Sequence, residues 1–106
     1  MIDASPEQLR LVQTVIERTL PPKTVVWAFG SRAYGRAKAF SDLDLAVDAG
    51  RKLTLKELAA LDHDFETSSL PWKVDVLDLH NVAAGFRESI EGQLVPLTSK
   101  GDLGLA

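Results

Sequence analysis

The sequence predicts a small α/β (α+β) domain, a mixed sheet of three to four strands with helices packed on it. Two capping signatures, Ser5-Pro6-Glu7-Gln8 and Thr54 with Glu57, each open a segment of helical periodicity. Three β-prone runs, at residues 24–29, 42–47 and 72–79, are interleaved with the helical segments. The resulting order is helix, strand, strand, helix, strand, helix, with no internal repeat or boundary. Residues 1–97 therefore read as one domain, and residues 98–106, with two glycines and no periodicity, as a flexible tail.

In the first helix Ser5 is the N-cap, Pro6 takes the first helical position and Gln8 closes the capping box. Leu9, Val12, Ile16 and Leu20 follow at helical spacing until Pro21-Pro22 stops the helix. Residues 24–29 form a continuous apolar run, the pattern of a buried strand, which breaks off at Gly30-Ser31. The loop from Gly30 to Ser41 is rich in small and basic residues and is expected to hold a short helix within residues 32–37. Residues 42–47 alternate polar and apolar, as a half-buried strand does. Ala49-Gly50 turns the chain, and a helix capped by Thr54 runs to about residue 67. After the third strand, a last helix over residues 81–91 ends at Gly92, with Val82, Phe86 and Ile90 at helical spacing, either core or an apolar patch for a partner. Residues 93–97 suit a short extended segment.

Composition narrows the function. With 106 residues there is little room for accessory structure, and with no cysteine there is no disulfide, thiolate zinc site or cysteine nucleophile. A net charge of −3 argues against duplex nucleic acid as the main partner, since phosphate-backbone binders are basic. No apolar run approaches a membrane span, and the N-terminus lacks the pattern of a signal peptide, so a cytoplasmic location is expected.

Three carboxylates carry the chemistry. Asp42 and Asp44, two apart on a strand, share a face about 6–7 Å apart, while Leu43, Leu45 and Val47 anchor the other face. Asp75 lies in a separate β-run between Val74 and Val76; if the strands are neighbours, the three converge. Converging carboxylates repel and need cations, and such hard oxygen ligands suit Mg²⁺ or Mn²⁺. Two such ions about 3.5–4 Å apart activate an attacking hydroxyl and stabilise a leaving oxygen. Gly30-Ser31, between a strand and a short helix, lets the backbone approach a phosphate, with the Ser31 hydroxyl as donor and Arg32 as balancing charge.

Gly30-Ser31-Arg32-Ala33-Tyr34-Gly35, followed by Ser41-Asp42-Leu43-Asp44-Leu45, resembles the signature of the polymerase-β-like nucleotidyltransferase superfamily. The resemblance spans about residues 5–97 and is greatest to the minimal nucleotidyltransferases that act as antitoxins beside HEPN-domain toxins. It implies the polymerase-β-like fold, ATP as substrate and two Mg²⁺ ions. It assigns nucleotide binding to Gly30, Ser31, Arg32 and Ser41, metal binding to Asp42 and Asp44, and hydroxyl activation as well as a share of the metal to Asp75. Tyr34 stands where many minimal members carry a basic residue, and Arg32 and Arg36 are near enough to substitute. The implied acceptor is a tyrosine of a HEPN-type toxin held in a hetero-oligomer. The alternatives are neutralisation of the toxin by occlusion, and a catalytic subunit acting on a small molecule such as an aminoglycoside.

Other polar and aromatic residues receive plainer readings. Asp48 is read as a turn residue and Asp78 as pointing away from Asp75. His63 belongs to a solvated helix face, and His80 has a structural place. Trp27 and Trp72 are expected in the core; Lys52, Lys56 and Arg87 are expected on the surface.

Overall fold

In the computed structural model, which describes residues 2–35, 38 and 41–97, both capping boxes are formed. Helix α1 (Pro6–Thr19) starts where the Ser5 hydroxyl accepts from the Gln8 amide at 3.1 Å and the Gln8 side chain accepts from the Ser5 amide at 2.8 Å. Helix α2 (Leu55–Glu66) starts in the same way from Thr54 and Glu57, at 3.0 and 2.9 Å. Each box satisfies two amides that the first turn leaves without a helical acceptor.

Four strands, β1 (Val25–Phe29), β2 (Leu43–Asp48), β3 (Val74–Asp78) and β4 (Val95–Pro96), form one mixed sheet in the order β3-β2-β1-β4. β1 pairs antiparallel with β2 and with β4, whereas β2 and β3 are parallel. A parallel pair needs a crossover, and α2 supplies it. Helix α3 (Ala84–Glu91) follows β3.

The side-chain alternation of β2 divides the core. Leu43, Leu45 and Val47, all fully buried, face α1 and α2 beside Val12, Ile16, Leu61 and Phe65. On the opposite face Ala46 packs with Leu79 and with Ile90 of α3, bordered by Trp27, Phe29 and Leu77. Both faces of the central strand are thus covered, and its charged residues fall at its two ends.

Several boundaries differ from expectation for local reasons. Asp42 lies just ahead of β2 instead of within it. α3 begins at Ala84, because the chain first turns at Asp78, whose carbonyl accepts the Asn81 amide at 2.9 Å. Of the apolar positions of α3, Ile90 is buried in the core, while Phe86 is 48% exposed. The expected short helix is a 3-10 turn, Ser31–Tyr34, ended by Gly35 at φ 70°. Residues 36–37 of that expectation, Arg36 as a phosphate contact, and the tail at 98–106 lie outside the described residues. Among the described residues no helix is long and apolar enough to cross a membrane.

Asp78 is buried on the α2 side of the sheet, opposite to Asp75. Its carboxylate accepts the Leu53 amide at 2.8 Å and the His80 amide at 2.9 Å, tying the approach to α2 to the end of β3. Replacing Asp78 with alanine leaves both amides without that acceptor, a loss of about 2–4 kcal/mol. Urea denaturation is expected to show this loss, with Asp78→Asn intermediate.

Candidate active site

The parallel register sets Asp44 of β2 directly against Asp75 of β3, and the antiparallel register sets Asp44 against Phe29 of β1. Gly30 follows Phe29, so the turn that ends β1 meets the carboxylates at one end of the sheet. The approach is close: a Cβ on Gly30 would lie 2.5 Å from Asp44 Oδ2. Gly30 also holds φ 79° and ψ −169°, a region open in practice only to glycine. Both constraints require this glycine. Beyond it, Ser31 is exposed at the start of the 3-10 turn, whose first amides have no helical acceptor.

Asp44 is half-buried, and its carboxyl is pushed above the ordinary range by burial first, then by the charges of Asp75 and Asp42. A carboxylate whose folded pKa exceeds its unfolded one opposes folding at neutral pH. That penalty disappears as pH falls through the folded value. Asp75 is exposed at the edge strand, where the Lys73 ammonium stands 3.7 Å from Oδ1. A surface pair of this kind is weak and easily exchanged.

The donor set fits a hard divalent cation. Asp42, Asp44 and Asp75 offer only carboxylate oxygens, and Asp44 is pushed up by burial first and then by the charges of the other two. Among the described residues, no three such side chains are already drawn together tightly enough to hold an ion. Mutual repulsion and the lean of Asp75 toward Lys73 are consistent with that spacing.

Arg32 departs from expectation. The residue is only 5% exposed, and its guanidinium lies 4.7 Å from the centre of the Trp72 ring. It donates to the carbonyls of Asp3 at 2.8 Å, Lys38 at 3.0 Å and Ser41 at 2.8 and 3.0 Å. The guanidinium is therefore a clamp inside the loop, not the phosphate counter-charge expected from sequence. Ser41 is bound on both sides: its carbonyl accepts from Arg32 and its hydroxyl accepts the Lys38 amide at 3.0 Å. The clamp thereby fixes the residue next to Asp42.

Sequence reasoning also missed Gln93. Its carbonyl accepts the Tyr34 hydroxyl, and with Gly30, Ser31 and Tyr34 it lines an open cleft of about 500 Å³. No local signal at Gln93 announces this long-range tie. Asp48 is a turn residue, as expected, accepting the Gly50 amide at 2.8 Å. It also meets His80 at 2.6 Å, which gives that histidine its structural place. This contact lies at the end of the sheet away from Asp44 and Asp75. Trp72 is in the core, and Arg87 is half-buried against the Leu79 carbonyl at 3.0 Å.

Two outcomes follow from this geometry. Gly30→Ala is expected to displace the Asp44 carboxylate, abolish transfer and cost about 1–3 kcal/mol in denaturation experiments. Asp44→Asn is expected to abolish transfer yet raise Tm at pH 7 without divalent metal, because a repelled charge is removed. The wild type is expected to regain that difference on mild acidification, as Asp44 takes up its proton, while the variant does not; thermal scans across pH check both.

Comparison with known proteins supports the same reading. The family described as "Polymerase beta, Nucleotidyltransferase" matches residues 13–102. Over 99 residues the chain is 40% identical to the "Probable protein adenylyltransferase MntA" of Haemophilus influenzae, covering 93% of this chain and 86% of that protein. In fold it is similar to a crystal structure of a toxin-antitoxin with AMP-PNP, with TM-score 0.72 and 24% identity over 90% of this chain and 77% of that one. It is also similar to the toxin-antitoxin MntA-HepT, with TM-score 0.66 and 21% identity over 92% of this chain and 76% of that one. The mixed sheet is therefore the polymerase-β-like one, and with a family match across most of its length the chain belongs to the polymerase β nucleotidyltransferase family.

Proposed function

We propose that this nucleotidyltransferase moves AMP from ATP to a tyrosine hydroxyl of a HEPN-type toxin, with which it assembles as a cytoplasmic antitoxin. One observation carries the reading: 40% identity, along 93% of the chain, to a protein named as a probable protein adenylyltransferase. The fold neighbours, solved as toxin-antitoxin complexes and in one case with AMP-PNP, support it.

In this reading the turn at Gly30-Ser31 receives the triphosphate tail, the Ser31 hydroxyl donates to a phosphate oxygen and Ser41 borders the nucleotide. Asp42, Asp44 and Asp75 would hold divalent metal, Mg²⁺ or Mn²⁺. When bound, it supplies Lewis acidity to the phosphate oxygens and offsets the carboxylate charge. Asp75, on the exposed edge strand, faces the incoming acceptor and draws off its hydroxyl proton. The acceptor oxygen forms a bond to the α-phosphorus, the bond from that phosphorus to the β-bridging oxygen breaks, and pyrophosphate leaves. Precise placement of the nucleotide dominates such a transfer, since the protein itself makes no covalent bond.

The test uses ATP labelled at the α-phosphate, Mg²⁺ and the protein encoded next to this chain. Label is expected on that protein, and is expected to vanish with EDTA or with Asp42→Ala plus Asp44→Ala. A partner that stays unlabelled overturns the proposal, as does labelling that survives the double substitution. Full rescue from toxicity by the double variant would favour occlusion instead.

A further inference from the structure

Asp42 is held differently from the other two carboxylates. Asp44 pairs on both sides, with Phe29 and with Asp75, and Asp75 is fixed by its pairing with Asp44. The ladder between β2 and β3 begins at Leu43. Asp42, exposed just ahead of β2, therefore has no partner strand among the described residues to set its backbone.

Two anchors take the place of the ladder. The Ser41 carbonyl accepts from Arg32 Nε at 3.0 Å and from Nη2 at 2.8 Å. The Leu43 amide donates to the Lys73 carbonyl at 2.8 Å. These two groups belong to the peptide planes on either side of Asp42, so both soft dihedrals of that residue lie between fixed planes. The anchors are themselves joined, because the Arg32 guanidinium stacks on the ring of Trp72, the residue before Lys73. Trp72 belongs to the buried cluster of Leu43 and Phe65, which seats the unit in the core under α1 and α2. The N-terminal segment completes it: Arg32 Nη1 donates to the Asp3 carbonyl at 2.8 Å, and the Arg32 carbonyl accepts the Asp3 amide at 2.6 Å.

We propose that Arg32 and Trp72 are positioning residues for divalent-metal binding, acting through the backbone of Asp42. The inference rests on the proposed metal role of Asp42, Asp44 and Asp75, and gives two buried residues the task of bringing Asp42 into that set. A carboxylate on a free loop loses conformational entropy when it joins an ion; one whose backbone is fixed beforehand loses less. Arginine suits the task better than lysine. Its planar fork reaches the Asp3, Lys38 and Ser41 carbonyls from three nitrogens, whereas an ammonium is a single point. The indole beside it offsets part of the cost of burying the cation.

Mn²⁺ binding without nucleotide, followed by electron paramagnetic resonance, tests this together with amide hydrogen exchange. In Arg32→Lys the dissociation constant for Mn²⁺ is expected to rise about ten-fold. In Trp72→Phe, which thins the cover on the guanidinium, the rise is expected to be about three-fold. The second variant carries the test should the first fail to fold. Exchange at the Asp42 and Leu43 amides is expected to quicken in both, with Leu45 and Val47 held. Asp78→Asn, which weakens the far end of the sheet, is expected to leave Mn²⁺ affinity unchanged. In transfer assays the Mg²⁺ dependence of Arg32→Lys is expected to move to higher concentration by the same factor, with KM for the acceptor protein held. Unchanged Mn²⁺ affinity in the folded variants overturns the proposal, as does an equal loss in Asp78→Asn. A wild type that binds no Mn²⁺, with exchange still quickened in the variants, overturns the metal assignment and leaves the positioning of Asp42 standing.

Discussion

The register of β2 is the constraint on which this molecule depends. Paired antiparallel with β1 and parallel with β3, it sets Phe29, Asp44 and Asp75 in one row across three strands. Because side chains alternate, a slip by one residue would turn Asp44 into the α1 and α2 core and move Leu43 and Leu45 to the opposite face. The burial of Leu43, Leu45 and Val47 against α1 and α2 prevents that slip. Apolar packing on one face thus holds a charged residue in place on the other. Gly30 adds a second lock, since its missing side chain is the space that the Asp44 carboxylate fills.

That arrangement works against stability at the place where chemistry is expected. Asp44 is disfavoured as an anion by burial and by two neighbouring carboxylates, and the rest of the domain holds it there. Stabilising polar contacts offset it: the Arg32 clamp beside the carboxylates and, farther off, the α2 capping box and buried Asp78. A disfavoured charge held in place by well-satisfied surroundings is the familiar trade between activity and stability in enzymes.

What was legible in the sequence was whatever depends on near neighbours. The two capping boxes, the ends of α1 and α2, the three main strands and the outward spacing of Asp44 all follow from local chemistry and periodicity. The convergence of Asp44 with Asp75 required only that two strands be adjacent, and they are. The unread parts join distant positions: Arg32 to Asp3 and Trp72, Asp78 to Leu53, Asp48 to His80, Tyr34 to Gln93. An arginine directly after a strand-ending Gly-Ser turn reads as an exposed counter-charge when only its neighbours in sequence are considered. Its burial becomes apparent only once Trp72 and the N-terminal segment are brought against it. The late start of α3 has a similar origin, because Asp78 spends its side chain and carbonyl on the turn that precedes the helix.

The Arg32 clamp has a consequence for how this loop tolerates change. Its described hydrogen bonds reach two chain segments, the N-terminal one at Asp3 and the loop at Lys38 and Ser41, and every one of them ends on a main-chain carbonyl. A carbonyl is present whatever the side chain, so the anchor is indifferent to residue identity at the positions it holds. The path of the backbone toward Asp42 is thereby separated from the chemistry displayed along it. Side chains such as that of Lys38, which is exposed, can be exchanged without touching the anchor. The course of the backbone and the side chains displayed along it can diverge independently.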